Sequence, residues 1–242
     1  KLVPLARRTA RRFVPALGFA LILAYASTLP TGEVRWREDA DYRYLESNGL
    51  PTHPMMVGIT AWQQQVPLPH DFSGPNAFRL PKNPRLAANP VNAKHALFTG
   101  AIAVAANGVP IFNPIKNDGR TDTLLAGELD NFGGHCGRAD DYHYHIAPLH
   151  LEKSSREPIG WALDGFALYG MTEPDGAPAK NLDELNGHQH DARGYHYHAT
   201  KAYPYVNGGL RGEVTVEDDA ITPQPRTDPV RPAGRPLRGA RI

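Results

Sequence analysis

One unit occurs twice in the chain at a constant spacing. Leu129-Asp130-Asn131-Phe132-Gly133-Gly134-His135 runs, six residues on, into Tyr142-His143-Tyr144-His145. Leu182-Asp183-Glu184-Leu185-Asn186-Gly187-His188 runs in the same way into Tyr195-His196-Tyr197-His198. The offset is 53 residues without a gap, and nine of 17 aligned positions are identical, Ala139 with Ala192 among them. Two units, 129–145 and 182–198, are too few for a solenoid. They predict an internal repeat with pseudo-two-fold character inside a single domain.

The tetrapeptide also constrains the chemistry. On a β-strand, side chains at i and i+2 share a face and sit about 6.6 Å apart along it. His143 and His145 then point one way, and Tyr142 and Tyr144 the other. Two imidazoles so placed can lean onto one cation at metal–nitrogen distances of about 2.0–2.1 Å. A third His, eight residues earlier across a Gly-containing loop, can fold back to complete the set. The candidate metal ligands are therefore His135, His143 and His145 in one unit, and His188, His196 and His198 in the other. Three neutral nitrogens suit divalent copper or zinc. Asp130 and Asp183, matched carboxylates, read either as outer partners that orient an imidazole or as helix-start residues. The Tyr residues read as packing and hydrogen-bonding groups on the core face.

Elsewhere, turn signals alternate with apolar, β-branched runs. Leu97–Val104, Asn107-Gly108 and Val109–Phe112 predict a hairpin, and so do Ile159–Leu163, Asp164-Gly165 and Phe166–Tyr169. Residues 142–146 and 195–199 predict short strands. Thr123–Leu129 and Lys180–Leu185 predict one or two helical turns each. Gly and Pro, 23 of each, favour many short elements over a helical bundle. The expected fold is mostly β, one β-rich domain, sandwich or barrel-like, with long Pro/Gly loops over 47–95.

The two ends differ from this middle. Residues 1–26 carry five basic groups and no acid, then an apolar run from Phe13 to Leu23, then Ala24-Tyr25-Ala26. That order predicts a secretory signal with the mature chain starting at Ser27, or a membrane anchor if it is not cleaved. Residues 27–46 read as a lead-in and 47–220 as the domain. Residues 221–242, with five Pro and five Arg, read as a disordered basic tail able to touch the cell envelope. Localisation in the periplasm or outside the cell follows. With a single cysteine, Cys136, no intramolecular disulfide is possible.

These motifs resemble the bacterial YHYH-domain family. The likeness runs over about 47–212 and takes in Ser47-Asn48-Gly49-Leu50-Pro51-Thr52-His53, Asn107-Gly108-Val109-Pro110, Ile159–Phe166 and Tyr203-Pro204-Tyr205 with Leu210-Arg211-Gly212. The resemblance implies an exported bacterial protein and draws His53 and Asp164 into the candidate site, while assigning no reaction. Family members often carry Cys before the Gly-His element. This chain has Asn131–Gly133 and Glu184–Asn186 there, so no family disulfide carries over. Asp164 reads either as a hairpin-turn residue or as a ligand or general base. His70, His95, His150 and His190 read as surface residues, Cys136 as a soft ligand without a counterpart in the repeat, and Asp118-Gly119 as a turn.

Several functions are excluded. No G-x-S-x-G, H-E-x-x-H, Walker or dinucleotide motif occurs. Residues 27–242 carry 21 basic and 25 acidic groups, which disfavours nucleic acid as a partner. The leading expectation is an exported metal-binding protein with a His-rich centre for copper or zinc. A secreted metalloenzyme acting on a small molecule (a metal-activated water hydrolase or a copper oxidoreductase) and a cell-envelope interaction domain are the alternatives.

Overall fold

The computed structural model describes residues 29–62, 65–138, 140–190 and 193–225. The expected signal segment lies outside them, as does the expected tail from residue 226 on. The described chain is mostly β. No α-helix occurs in it, and no helix in it is long and apolar enough to cross a membrane. The helical turn expected over 180–185 is absent as well, and that expected over 123–129 is limited to a single turn. Around 122–127 the chain makes one tight turn: the Asp122 side chain accepts from the Leu124 and Leu125 amides, and its carbonyl from Ala126. Gly127, at φ +73°, then ends it before a second turn can form.

Three strands begin the fold: β1 (Arg35–Glu38), β2 (Tyr42–Glu46) and β3 (Phe78–Pro81) form an antiparallel sheet in that order. The expected lead-in thus supplies two strands. The loop expected over 47–95 is interrupted by β3 and by β4 (Leu86–Asn92), which contains Pro90 and bonds only to β13 (Gly209–Gly212). A strand with one partner tolerates the missing N–H. At the far end, β14 (Thr215–Glu217) and β15 (Ala220–Thr222) pair. Ile221 is buried and Gln224 bonds to Arg79, so ordered chain passes the expected boundary at 220.

The centre is an eight-stranded sheet. Its members are β5 (Ala101–Ala105), β6 (Pro110–Phe112), β7 (Gly134–Cys136), β8 (Tyr142–Tyr144), β9 (Gly160–Ala162), β10 (Ala167–Tyr169), β11 (Gly187–Gln189) and β12 (Tyr195–His198). The order is β11-β12-β10-β9-β5-β6-β8-β7, open at both edges rather than closed into a barrel. Both expected hairpins are present, β5–β6 around Asn107-Gly108 and β9–β10 around Asp164-Gly165. In one half β6 runs parallel to β8, which pairs antiparallel with β7. In the other half β10 runs parallel to β12, which pairs antiparallel with β11. Strands β5 and β9 join the halves.

Strand alternation divides the tetrapeptides between two environments. Tyr142, Tyr144 and Tyr197 are almost wholly buried in one cluster with Leu45, Phe78, Leu80, Ile102, Val104 and Ile111. Burying a side chain of this size contributes about 1.5–3 kcal/mol. Trp36 of β1 meets Trp161 of β9 edge-on at 4.9 Å, tying the small sheet to the large one. The imidazoles of the same strands face the other way.

Candidate metal centres

In the first unit the antiparallel register sets His135 directly across from His143. His145, two residues further along, joins them. The Nε2 atom of His145 lies 3.1 Å from Nε2 of His143 and 3.1 Å from Nε2 of His135. Each opposite ring nitrogen is held by a main-chain oxygen: Nδ1 of His135 by Glu128 at 3.0 Å, of His143 by Asp141 at 3.0 Å and of His145 by Asn113 at 2.6 Å. A carbonyl only accepts, so each Nδ1 carries the proton and donates it. All three Nε2 lone pairs then face one point with no hydrogen between them. Burial and the neighbouring His143 push the His135 imidazole down to about 3. Burial, His143 and His135 push His145 well below its ordinary value. A proton is thus a poor filling for this site. Trp62 stacks on His135 and Phe112 on His143, closing it over.

The second unit repeats the arrangement. His188 faces His196 in register, their Nε2 atoms 3.2 Å apart, and His196 and His198 approach to 3.1 Å. The Nδ1 atoms donate to the main-chain oxygens of Lys180, Gly194 and Gly170 at 2.9, 3.0 and 2.7 Å. A fourth group is added here, one that sequence reasoning missed. Glu173 places Oε1 3.1 Å from Nε2 of His188 and 3.3 Å from Nε2 of His198. Burial works against its ionisation, but His198, Arg193 and His188 outweigh it and hold the carboxyl below its ordinary value. Burial lowers His196 to about 4.

The two sets therefore differ by one charge. Glu173 stands three residues past Gly170, whose oxygen holds His198. Three residues past Asn113, whose oxygen holds His145, stands Lys116. Lys116 bonds to Glu128 at 2.9 Å and lies over the Trp62 ring. The first set (site 1) is His135, His143 and His145. The second (site 2) is His188, His196, His198 and Glu173. Both bring ligand atoms within 4.8 Å of one another and could hold a metal ion.

The remaining candidates lie elsewhere. Asp130 and Asp183 neither orient an imidazole nor start a helix. Each accepts two amides of its own turn, Phe132 and Gly134 or Leu185 and Gly187, and the hydroxyl of Tyr142 or Tyr195. Asp164 is on the Tyr side of the sheet. It accepts from the Tyr197 hydroxyl at 2.6 Å and the Gly212 amide at 2.9 Å, and contacts none of the clustered imidazoles. His53 is also on the Tyr side, 2.7 Å from the Tyr144 hydroxyl and stacked on Phe132. Cys136 pairs across from Tyr142, away from His135, and burial pushes its thiol up to about 12. His70, expected on the surface, is buried and stacks on Phe72. His190 is half-buried beside Glu173. Asp118 caps the turn expected of it, accepting the Arg120 and Thr121 amides.

No curated protein and no solved structure matches the chain. Residues 77–177 match the family model described as "YHYH protein", a stretch that spans both hairpins and site 1 and ends before β11.

Proposed function

We propose that the protein binds two transition-metal ions, zinc or copper, one at each His cluster. One observation carries the reading: at site 1 three fixed acceptor lone pairs converge in a buried place with no donor among them. Unmet buried polar atoms are costly, and only a cation satisfies three at once. Nitrogen–nitrogen separations of 3.1 Å accord with bonds of about 2.0–2.1 Å to a common ion. Site 1 is neutral and open in its ligand count. Site 2 adds a carboxylate, making a four-ligand anionic set. The basic-then-apolar order of residues 1–26 supports export, to a compartment where the chain would meet such metals.

Metal analysis after zinc or copper loading and desalting tests this. Two equivalents are expected in the wild type, with one lost in His143→Ala and one in His196→Ala. Folded wild-type protein that takes up neither metal overturns the proposal.

A further inference from the structure

The two clusters differ in how a cation can reach them. Site 1 is sealed: the side chain of His143 is only 4% exposed, with Phe112 stacked on it and Trp62 on His135. Site 2 opens on a cleft of about 600 Å³, bordered by Glu173, His188, His190 and Asp175. No ligand of site 1 lines that cleft. The His190 side chain is 38% exposed, that of His188 11% and that of Glu173 9%, so exposure falls stepwise from cleft to centre. Glu173 bridges the steps. Its outer oxygen, Oε2, lies 3.4 Å from Nδ1 of His190 and is shared with Arg193. Its inner oxygen, Oε1, faces His188 and His198. His190 and His188 stack with centroids 5.4 Å apart.

Site 1 has none of these parts. In the repeat alignment Gly137 matches His190, and Lys116, a cation, stands where Glu173 would.

Resting on the reading that both clusters hold metal, we propose that they exchange it at different rates. Site 2 loads and unloads through the cleft, with His190 as the ligand that meets the incoming ion. The ion displaces Arg193 from the outer oxygen of Glu173, binds there and at His190, and passes to the inner oxygen and His188. Every step is a ligand exchange, and the ion keeps its oxidation state. Site 1 releases metal only when Trp62 or Phe112 moves off the imidazole it covers, so its ion is held for the lifetime of that closure.

The test is the release of zinc from fully loaded, full-length protein to excess 4-(2-pyridylazo)resorcinol, followed by absorbance. Two equivalents should leave in two phases, the second about tenfold or more slower, the ratio that about 1.4 kcal/mol of extra opening cost gives. His196→Ala should remove the fast phase and His143→Ala the slow one. His190→Ala should slow the fast phase several-fold, with stoichiometry read in the same sample so that slow exchange is told from lost binding. A single phase, the reverse assignment, or an unchanged fast phase in His190→Ala overturns the inference while leaving two-site binding intact. Fewer than two bound equivalents overturns the two-site reading and the inference with it.

Discussion

Asp164 and Asn107 occupy the same place in the two central hairpins, each just before the turn glycine, and each meets the tetrapeptide tyrosine behind it. Asn107 donates to the Tyr144 hydroxyl at 3.0 Å, whereas Asp164 accepts from that of Tyr197 at 2.6 Å. Asp164 is almost wholly buried, and burial outweighs its hydrogen bonds, pushing the carboxyl up to about 6. The folded chain therefore binds this proton more tightly than the unfolded chain, whose value is near 3.8. Stability from this group is full below about pH 4 and is lost as pH rises to about 6. That span is worth about 3 kcal/mol at roughly 1.4 kcal/mol per pH unit. Asp164→Asn removes the titration and adds a constant offset from altered hydrogen bonding. The stability difference between variant and wild type, from denaturant unfolding, should move in favour of Asn by up to about 3 kcal/mol between pH 4 and 6.5. A difference that stays constant over that range contradicts a buried, proton-hungry Asp164.

At the scale of the strand pairs, the Gly-His elements show why glycine precedes each outer histidine. The tyrosine of the facing strand folds across it. A Cβ on Gly134 would lie 2.6 Å from the main-chain oxygen of His143 and 2.6 Å from the Tyr142 hydroxyl. A Cβ on Gly187 would overlap the Tyr195 ring and hydroxyl, and that side chain is itself buried and bonded to Asp183. Gly134→Ala must move β7 off β8 and carry His135 with it. It should cost about 1–3 kcal/mol or more and empty site 1 selectively. Gly187→Ala should cost a comparable amount, empty site 2 and spare site 1. Metal lost from both sites in either variant would contradict this account. Much at this scale was legible beforehand: the Asn-Gly and Asp-Gly turns placed the hairpins, and period-two alternation separated His from Tyr. The repeat alignment at offset 53 hid Glu173, because the hairpins repeat at 57, from Asn107 to Asp164. The loop between hairpin and Gly-His element is four residues shorter in the second half, so Glu173 had no visible partner. The imidazole-orienting groups were equally hidden. They are main-chain oxygens, which any residue type supplies, while the matched Asp130 and Asp183 serve the turns and the tyrosines. Aromatic and Arg-rich β1 and Pro-containing β4 lacked the alternation that marks a half-buried strand.

For the molecule as a whole, the His clusters and Asp164 set opposing demands on pH. In the unfolded chain each histidine titrates near 6.5; in the folded chain His135 is held to about 3 and His196 to about 4. Below pH 6.5 the unfolded state takes up protons that the folded state refuses, so stability falls with acid, by about 1.4 kcal/mol per pH unit for each group. From pH 6.5 to 5 the two together remove about 3 kcal/mol, a large share of the 5–15 kcal/mol typical of a domain. Asp164 acts in the opposite direction over part of the same window and offsets some of this loss. A bound ion meets the same lone pairs without a proton. At a free concentration about 100 times its dissociation constant, each site adds about 2.7 kcal/mol, equivalent to a rise of about 5–10 °C in Tm for a chain of this size. Melting curves between pH 4.5 and 7.5, with chelator and with zinc, should show the metal-free Tm falling steeply below pH 6.5. The zinc-loaded curve should lie above it at neutral pH and keep that separation down to about pH 4.5, because protons taken up by the unfolded chain lower both curves alike. Superimposed curves at pH 7.5 would mean that the converging imidazoles hold no ion, and that the Tyr-His-Tyr-His strands serve packing alone.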